Sequence, residues 1–284
     1  MNYLDEARQH DNVRITLDSD LFSNNQLASD LKQEFGISEA LIVLEDPTSQ
    51  AHSFERVIRA AIDCLPKHLN TGDQLGVAWG DTIYRLAEVA SKLDLSALTI
   101  VQLIESKPSK NGFAAENCAA TLALRFSTNC ANLHAPFCCP ISELCESLKA
   151  ESMIASQLET IANCNQIVQA SNTVDAHSHI AMTGLLDADI LSKMGKQRAA
   201  VVICGRIIDQ NGALNEGQMI GITPEQMRKK EMGILVCPGR DRVPAVRAAI
   251  KGGYVTHLAT FSASAQMLLE DTSWPKCPNT RSFR

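Results

Sequence analysis

The sequence predicts an α/β fold built on a doubly wound, mostly parallel sheet. Three observations carry the prediction. Short apolar runs of strand length, at 40–44, 98–103 and 199–205, alternate almost throughout with amphipathic helical patterns. The runs are continuous, as in strands covered by helices on both faces. Turn residues, such as Asp46-Pro47-Thr48-Ser49 and Asn70-Thr71-Gly72-Asp73, separate the two kinds of segment.

In order, residues 4–9 have room for one helical turn, and Val13-Arg14-Ile15-Thr16-Leu17 alternates as a strand does. Asn25 is placed to cap a helix carrying Leu27, Leu31 and Phe35 on one face, stopped by Gly36. Residues 40–44 read as a strand buried on both faces. Phe54, Val57, Ile58, Ala61 and Leu65 mark a helix that Pro66 ends. A strand from 74 runs through a turn into a helix ending near 90. Residues 98–103 form the next buried strand, with a polar loop at 106–112 and a helix over 113–126. An extended piece at 133–137 precedes helical patterns at 141–148 and 152–162. A short strand at 166–169 leads into a loop over 172–184 and a helix over 187–194. The run 199–205 is another buried strand. Asp209-Gln210-Asn211-Gly212 is a hairpin turn, because Asn-Gly tolerates positive φ. Thr223 caps a helix over 224–230 that has Pro224 in its first turn. A strand at 234–237 precedes Pro238-Gly239-Arg240-Asp241-Arg242 and a helix over 243–250, broken by Gly252-Gly253. The last strand lies at 254–260, and Ser262 caps the last helix.

A chain of 284 residues with 45% apolar and 20% charged content is globular and can enclose a substantial core. The formal net charge of −6 is the wrong sign for a free-standing nucleic-acid binder. No apolar run has membrane-spanning length, and the polar, acidic start is not a signal peptide, so a cytoplasmic protein is expected. The ten cysteines include no C-x-x-C pair. Those in apolar stretches, such as Cys64, Cys204 and Cys237, read as reduced small hydrophobes, and neither a metal nor a cofactor is expected.

The chain is organised around Gln74-Leu75-Gly76-Val77-Ala78-Trp79-Gly80-Asp81-Thr82, which runs straight into the helical pattern of Ile83, Leu86, Ala87 and Ala90. Gly80 sits at the apex of the turn, with Asp81 or Thr82 in a capping position. A strand, a glycine turn and a helix start make an anion site, since the first amides of a helix lack internal partners. Gly80 admits an oxygen close to the backbone and Thr82 adds a hydroxyl donor. The stretch has neither a Walker lysine nor dinucleotide glycine spacing. An ordinary βα turn is the alternative.

The order of these pieces resembles the sugar-binding effector domain of the SorC/DeoR-type bacterial transcriptional regulators, over about residues 4–270. The resemblance is carried by Leu4-Asp5-Glu6-Ala7-Arg8 with Val13-Arg14-Ile15, by 76–82, Val101-Gln102-Leu103, Ala135-Pro136 and Gly184-Leu185-Leu186, and by 203–209 and 248–255. It implies a fold akin to glucosamine-6-phosphate deaminase and ribose-5-phosphate isomerase. It also implies a phosphorylated sugar as effector, and a homo-oligomer, dimer or tetramer, that reads DNA through an N-terminal helix-turn-helix. That segment has no counterpart here, so 1–284 is expected to be one effector domain, with 1–12 a residual linker and 271–284 a peripheral tail. An excised domain and a natural truncation both fit.

Carried over residue by residue, the resemblance assigns Trp79, Gly80, Asp81 and Thr82 to the phosphate turn and Arg240 or Arg242 to the countercharge. It assigns Gln102, Val202, Gln218 and Phe261 to the sugar side. Several of these depart from the family pattern. Val202 and Phe261 stand where relatives are acidic, Arg242 where they carry lysine, Gln218 where some carry arginine, and Ala170-Ser171-Asn172 where Gly-x-Gly is common. Sugar-phosphate isomerase or deaminase chemistry needs a base beside the substrate carbon, which Val202 and Phe261 cannot supply. An enzyme of that class and an oligomerisation module with a vestigial pocket remain the alternatives, and no residue is assigned as catalytic. Asp175, His177 and His179 resemble a metal cluster, but their polar setting favours a solvated or effector-lining loop. His134 and His257, beside apolar stretches, are expected to pack. For Arg240-Asp241-Arg242, an anion contact and a surface ion pair with Asp241 stay open.

Overall fold

The computed structural model describes residues 19–95, 97–105, 113–139, 141–172, 199–209, 211, 214–215 and 219–270. The elements expected at 4–9, 13–17 and 187–194 lie outside the described residues.

Helix α1 (Ser19–Phe35) precedes β1 (Glu39–Val43) and α2 (Gln50–Cys64), which a 3-10 turn at Leu65–Lys67 extends. Then come β2 (Gln74–Val77), α3 (Asp81–Val89), β3 (Thr99–Gln102), α4 (Ala115–Arg125) and β4 (Asn129–Ala131). Helices α5 (Ser142–Ala150) and α6 (Ser152–Asn163) lead to β5 (Gln166–Asn172). Strands β6 (Ala199–Ile203), β7 (Arg206–Asp209) and β8 (Leu214–Asn215) follow. The rest is α7 (Pro224–Arg228), β9 (Met232–Val236), α8 (Val243–Lys251), β10 (His257–Phe261) and α9 (Ser262–Glu270).

Seven strands lie in the order β1-β10-β9-β5-β2-β3-β4, every neighbouring pair parallel. Helices α2, α3 and α4 pack side by side as one row flanking the sheet, and α1, α9 and α8 as another. The apolar faces of these helices and the central strands form one contiguous core. The doubly wound α/β expectation therefore holds, with one correction. The run 199–205 is not a further parallel strand. It forms β6, which pairs antiparallel with the end of β5 and then with β7 across a tight turn at Cys204-Gly205. Strand β7 pairs antiparallel with β8, and the Asn-Gly turn expected between them falls mostly outside the described residues.

Other differences are local. Helix α1 starts at Ser19, so Asn25 is an interior residue on its exposed side. Packing of Leu31 and Phe35 outweighs the weak helix propensity of asparagine. Strand β1 is an edge strand, and Leu41 and Ile42 stay partly exposed. The capping box of Thr223 and Gln226 on α7 is present in both directions, at 3.2 and 2.8 Å.

The carboxyl end of α6 is held by a buried cation. Lys230 Nζ donates to the carbonyls of Ile161, Ala162 and Cys164 at 3.5, 3.0 and 2.5 Å. The Ile161 carbonyl also accepts from Cys164 N at 3.3 Å, whereas those of Ala162 and Cys164 stand where intrahelical donors run out. Lys230→Met would take the ammonium from these two, so an unfolding free energy lower by about 2–4 kcal/mol is expected from denaturant titration. A loss under about 1 kcal/mol would show that water replaces the ammonium.

Candidate functional site at the sheet switch point

From β2 the chain winds outward through β3 to β4, whereas from β5 it winds the other way through β9 to β10. Strands β2 and β5 are neighbours, so the winding reverses between them. The loops leaving their carboxyl ends part there and open a crevice, the usual ligand position in an open α/β sheet.

The turn after β2 sits in this crevice. Ala78 N donates to Val168 O of β5 at 3.0 Å and continues the sheet register. Trp79 is buried in the core, 3% exposed, and anchors the turn from below. Gly80 is the residue that caps α3, with φ 109 and no side-chain cap. This corrects the expected cap at Asp81 or Thr82. The Asp81 carboxylate instead accepts from Arg85 Nε, one helical turn on, at 2.7 Å. That pairing offsets the negative charge that would otherwise oppose an anion. Gly80 O accepts from Tyr84 N at 2.9 Å, the first helical bond. The amides of Asp81, Thr82 and Ile83 therefore have no intrahelical acceptor. No described atom lies within 4 Å of the place where a Cβ on Gly80 would sit. Beneath the turn lies Cys118, whose thiol burial pushes up to about 12, so it stays neutral. Thr82 is half-buried at the helix start.

Arg242 reaches the crevice from the other side. It ends a 3-10 turn at Arg240–Arg242 that follows β9. Its Nη1 donates to Ser171 O on β5 at 2.6 Å, while Asp241 Oδ2 stands 3.9 Å from its Nε. The closest contact is thus a strand carbonyl, a partner the sequence did not suggest, and the ion pair with Asp241 is longer. Strands β9 and β2 flank β5, so the arginine and the Gly80 turn are separated by about two strand spacings, roughly 10 Å.

The remaining assigned residues fall in two places. Arg240 and Phe261 line a cleft of about 790 Å³ beyond the carboxyl ends of β1, β9 and β10, together with Glu45, Asp46, Ser262 and Gln266. There Arg240 pairs with Glu45 at 3.2 Å. Gln102 is fully buried, and its amide ties the loops after β3 and β4. Its Nε2 donates to Ile104 O at 3.0 Å and Glu105 Oε2 at 3.3 Å, and its Oε1 accepts from Leu133 N at 3.4 Å. Val202 is fully enclosed on β6, opposite Asn172 and Ile207. Gln218, the loop 106–112 and the Asp175-His177-His179 stretch lie outside the described residues. Sequence reasoning named Ser171 only within 170–172 and gave it no role, and it missed Glu45, whose position just beyond a buried strand was the available signal.

A mostly parallel sheet with helices on both sides and a glycine-capped helix start at its switch point is the architecture of an α/β small-molecule-binding domain. Residues 19–270 match the family described as "Putative sugar-binding domain", and the chain belongs to it, the sugar-binding domain family of SorC/DeoR-type transcriptional regulators. It is 27% identical over 279 residues to the uncharacterized transcriptional regulator YjhU of Escherichia coli K12, covering 95% of this chain and 85% of that protein. It is 24% identical to the deoxyribonucleoside regulator of Bacillus subtilis, covering 94% and 87%. The full-length sorbitol operon regulator SorC of Klebsiella pneumoniae has the same fold, with a TM-score of 0.81 at 19% identity, covering 94% and 87%. No helix among the described residues is long and apolar enough to cross a membrane.

Proposed function

We propose that this chain, as a single domain over 1–284, senses a phosphorylated sugar or related phosphate ester and is not itself an enzyme. The observation that carries the reading is the Gly80-capped start of α3, facing Arg242 across the end of β5. The phosphate accepts from the amides of 81–83 and the Thr82 hydroxyl, and Arg242 supplies the countercharge. The sugar extends toward the cleft of Arg240 and Phe261, with Gln102, Val202 and Gln218 shaping its surroundings. The aromatic side chain at 261 accepts no hydrogen bonds, which favours a less hydroxylated ligand on that side, whereas Val202 is enclosed in the core. Arginine at 242 forms no Schiff base, so binding is non-covalent. The domain works in the cytoplasm as a homo-oligomer, dimer or tetramer, and the net charge of −6 leaves DNA reading to a segment other than this one.

The test is a thermal-shift screen against deoxyribose, hexitol and hexose phosphates, the first two chosen from the names of the two regulators above. A ligand at about a hundred times its dissociation constant adds roughly 2.7 kcal/mol of stability, which the melting curve resolves. Thr82→Val removes one donor to the phosphate and is expected to weaken the hit by about tenfold. Unchanged affinity in Thr82→Val, or a shift with the unphosphorylated sugar of equal size, would overturn the phosphate assignment. Turnover of the hit would overturn the non-enzymatic one. A monomer by light scattering would overturn the oligomer.

A further inference from the structure

At the opposite, amino end of the sheet lies a cluster that the effector reading does not use. Glu39 opens β1 and His257 opens β10, paired in register on neighbouring strands. Cys64 ends α2, and His68 follows the 3-10 turn after it. Around the single oxygen Glu39 Oε2 stand His68 Nε2 at 3.2 Å, Cys64 Sγ at 3.7 Å and His257 Nε2 at 3.9 Å. The donor atoms of Glu39, Cys64 and His68 all lie within 4.8 Å of one another. The two histidine rings meet edge to face, 4.9 Å apart. His257 is buried as expected, though beside polar neighbours rather than alone, and Cys64 is a buried free thiol as expected. His134, the other histidine expected to pack, is exposed.

We propose that Glu39, Cys64 and His68 bind a zinc ion, with His257 beside the site at 3.9 Å from Glu39 Oε2. Metal–ligand bonds of about 2.0 Å to oxygen or nitrogen and 2.3 Å to sulfur, at tetrahedral angles, set neighbouring ligand atoms roughly 3.3–3.5 Å apart. The 3.2 and 3.7 Å separations are close to that spacing. A thiolate, imidazoles and one carboxylate select zinc over the hard ions magnesium and calcium. One thiolate and one carboxylate balance a divalent charge when both imidazoles are neutral.

The supports of the cluster are built in. His257 Nδ1 is hydrogen-bonded to Thr256 Oγ1 at 2.8 Å, which leaves Nε2 facing Glu39. Thr256 Oγ1 is itself fixed by Gly233 N at 2.8 Å. Such an outer partner is the usual orienting device for a metal-bound imidazole. The backbone of His68 is held by Gln166, whose amide donates to His68 O and to Asp73. A bound cation replaces the thiol proton of Cys64. Lys32 and Lys67 are the cations near these groups. Glu39 and His68 are each about one third exposed, 36% and 33%, which gives an ion access from solvent.

The test uses the full chain, stripped with a chelator and titrated with cobalt(II), then zinc. Expected are a thiolate-to-cobalt charge-transfer band, its loss on adding zinc at one equivalent, and release of about one proton per ion at neutral pH. Cys64→Ser should abolish the band and His68→Gln should weaken binding at least tenfold. Cys130→Ser, an exposed cysteine outside the cluster, should change neither. No band in the wild type, a band surviving in Cys64→Ser, or one lost in Cys130→Ser would overturn the proposal. Should Cys64→Ser fail to fold, X-ray absorption of the wild-type zinc form decides: one sulfur at about 2.3 Å with nitrogen and oxygen near 2.0 Å supports the site, and any other sulfur count defeats it. None of these readouts depends on a sugar phosphate.

Discussion

Gly80→Val is expected to reduce affinity for a sugar phosphate by a hundredfold or more while the protein stays folded. Gly80 caps α3 at φ 109, a conformation that costs a side-chain-bearing residue about 1–3 kcal/mol. Nothing described within 4 Å would clash with the new Cβ, so the fold has no steric reason to fail. The turn relaxes by rotating its peptide, which turns the helix-start amides away from the ligand. The branched methyls also fill the space that an anion's oxygen needs. Losing two charge-assisted hydrogen bonds at about 1.5–3 kcal/mol each gives the hundredfold or greater loss. Gly80→Ala should fall between valine and wild type, because it strains the backbone and adds only one small group. Calorimetric titration beside a circular dichroism spectrum measures both. A folded Gly80→Val protein with wild-type affinity would place the phosphate elsewhere.

The second large effect concerns stability. Gly221→Ala is expected to lower unfolding free energy by about 3 kcal/mol, from backbone strain at φ +131 and overpacking together. A Cβ there would lie 2.7 Å from Leu103 O and 2.9 Å from Ile104 Cγ2. The first is backbone and cannot swing away. Both strands of the contact are also tied down. Gly221 bridges Ile104, Ile222 N donates to Leu103 O at 2.9 Å, and Arg206 Nε donates to Ile222 O at 3.1 Å. Relief in any direction breaks one of these bonds. For a chain of this size the melting temperature should drop by roughly 6–12 °C. A drop under about 2 °C would show that the segment shifts without cost.

The parts of this fold that the sequence announces are those where periodicity and punctuation coincide. The helix marked by Val57, Ile58 and Ala61 has an apolar stripe, a serine cap at Ser49 and a proline stop. The strand, glycine turn and helix of 74–89 are equally plain. Strand β6 was misassigned because Val201, Val202 and Ile203 report burial, and burial is the same for a parallel strand and for one enclosed by β7 and α8. Strand β4 is three residues long, its first two exposed, and carries no apolar signal at all. At the candidate site, the amide-bearing turn is local and legible. The contacts of Arg242 with Ser171 and of Arg240 with Glu45 join residues far apart in the chain, so no spacing rule reveals them. The Glu39, Cys64, His68 and His257 cluster is hidden for the same reason, except for the four-residue step from Cys64 to His68.

The pairing of the first described strand with the last has a consequence for how the chain is made. Among the described residues, Glu39 to Val43 pairs only with His257 to Phe261. At about 5–20 residues per second, a ribosome needs on the order of ten to forty seconds to deliver that partner. Over this interval one long edge of β1, with its row of amides and carbonyls, waits open beside Leu41 and Ile42. Such an edge is a template for stray pairing between nascent chains. Closure is the most non-local event in the topology, and it sets a slow final stage of folding. The charged side chain that β1 presents at the mouth of that edge, Glu39, is the group His257 meets when the sheet at last completes.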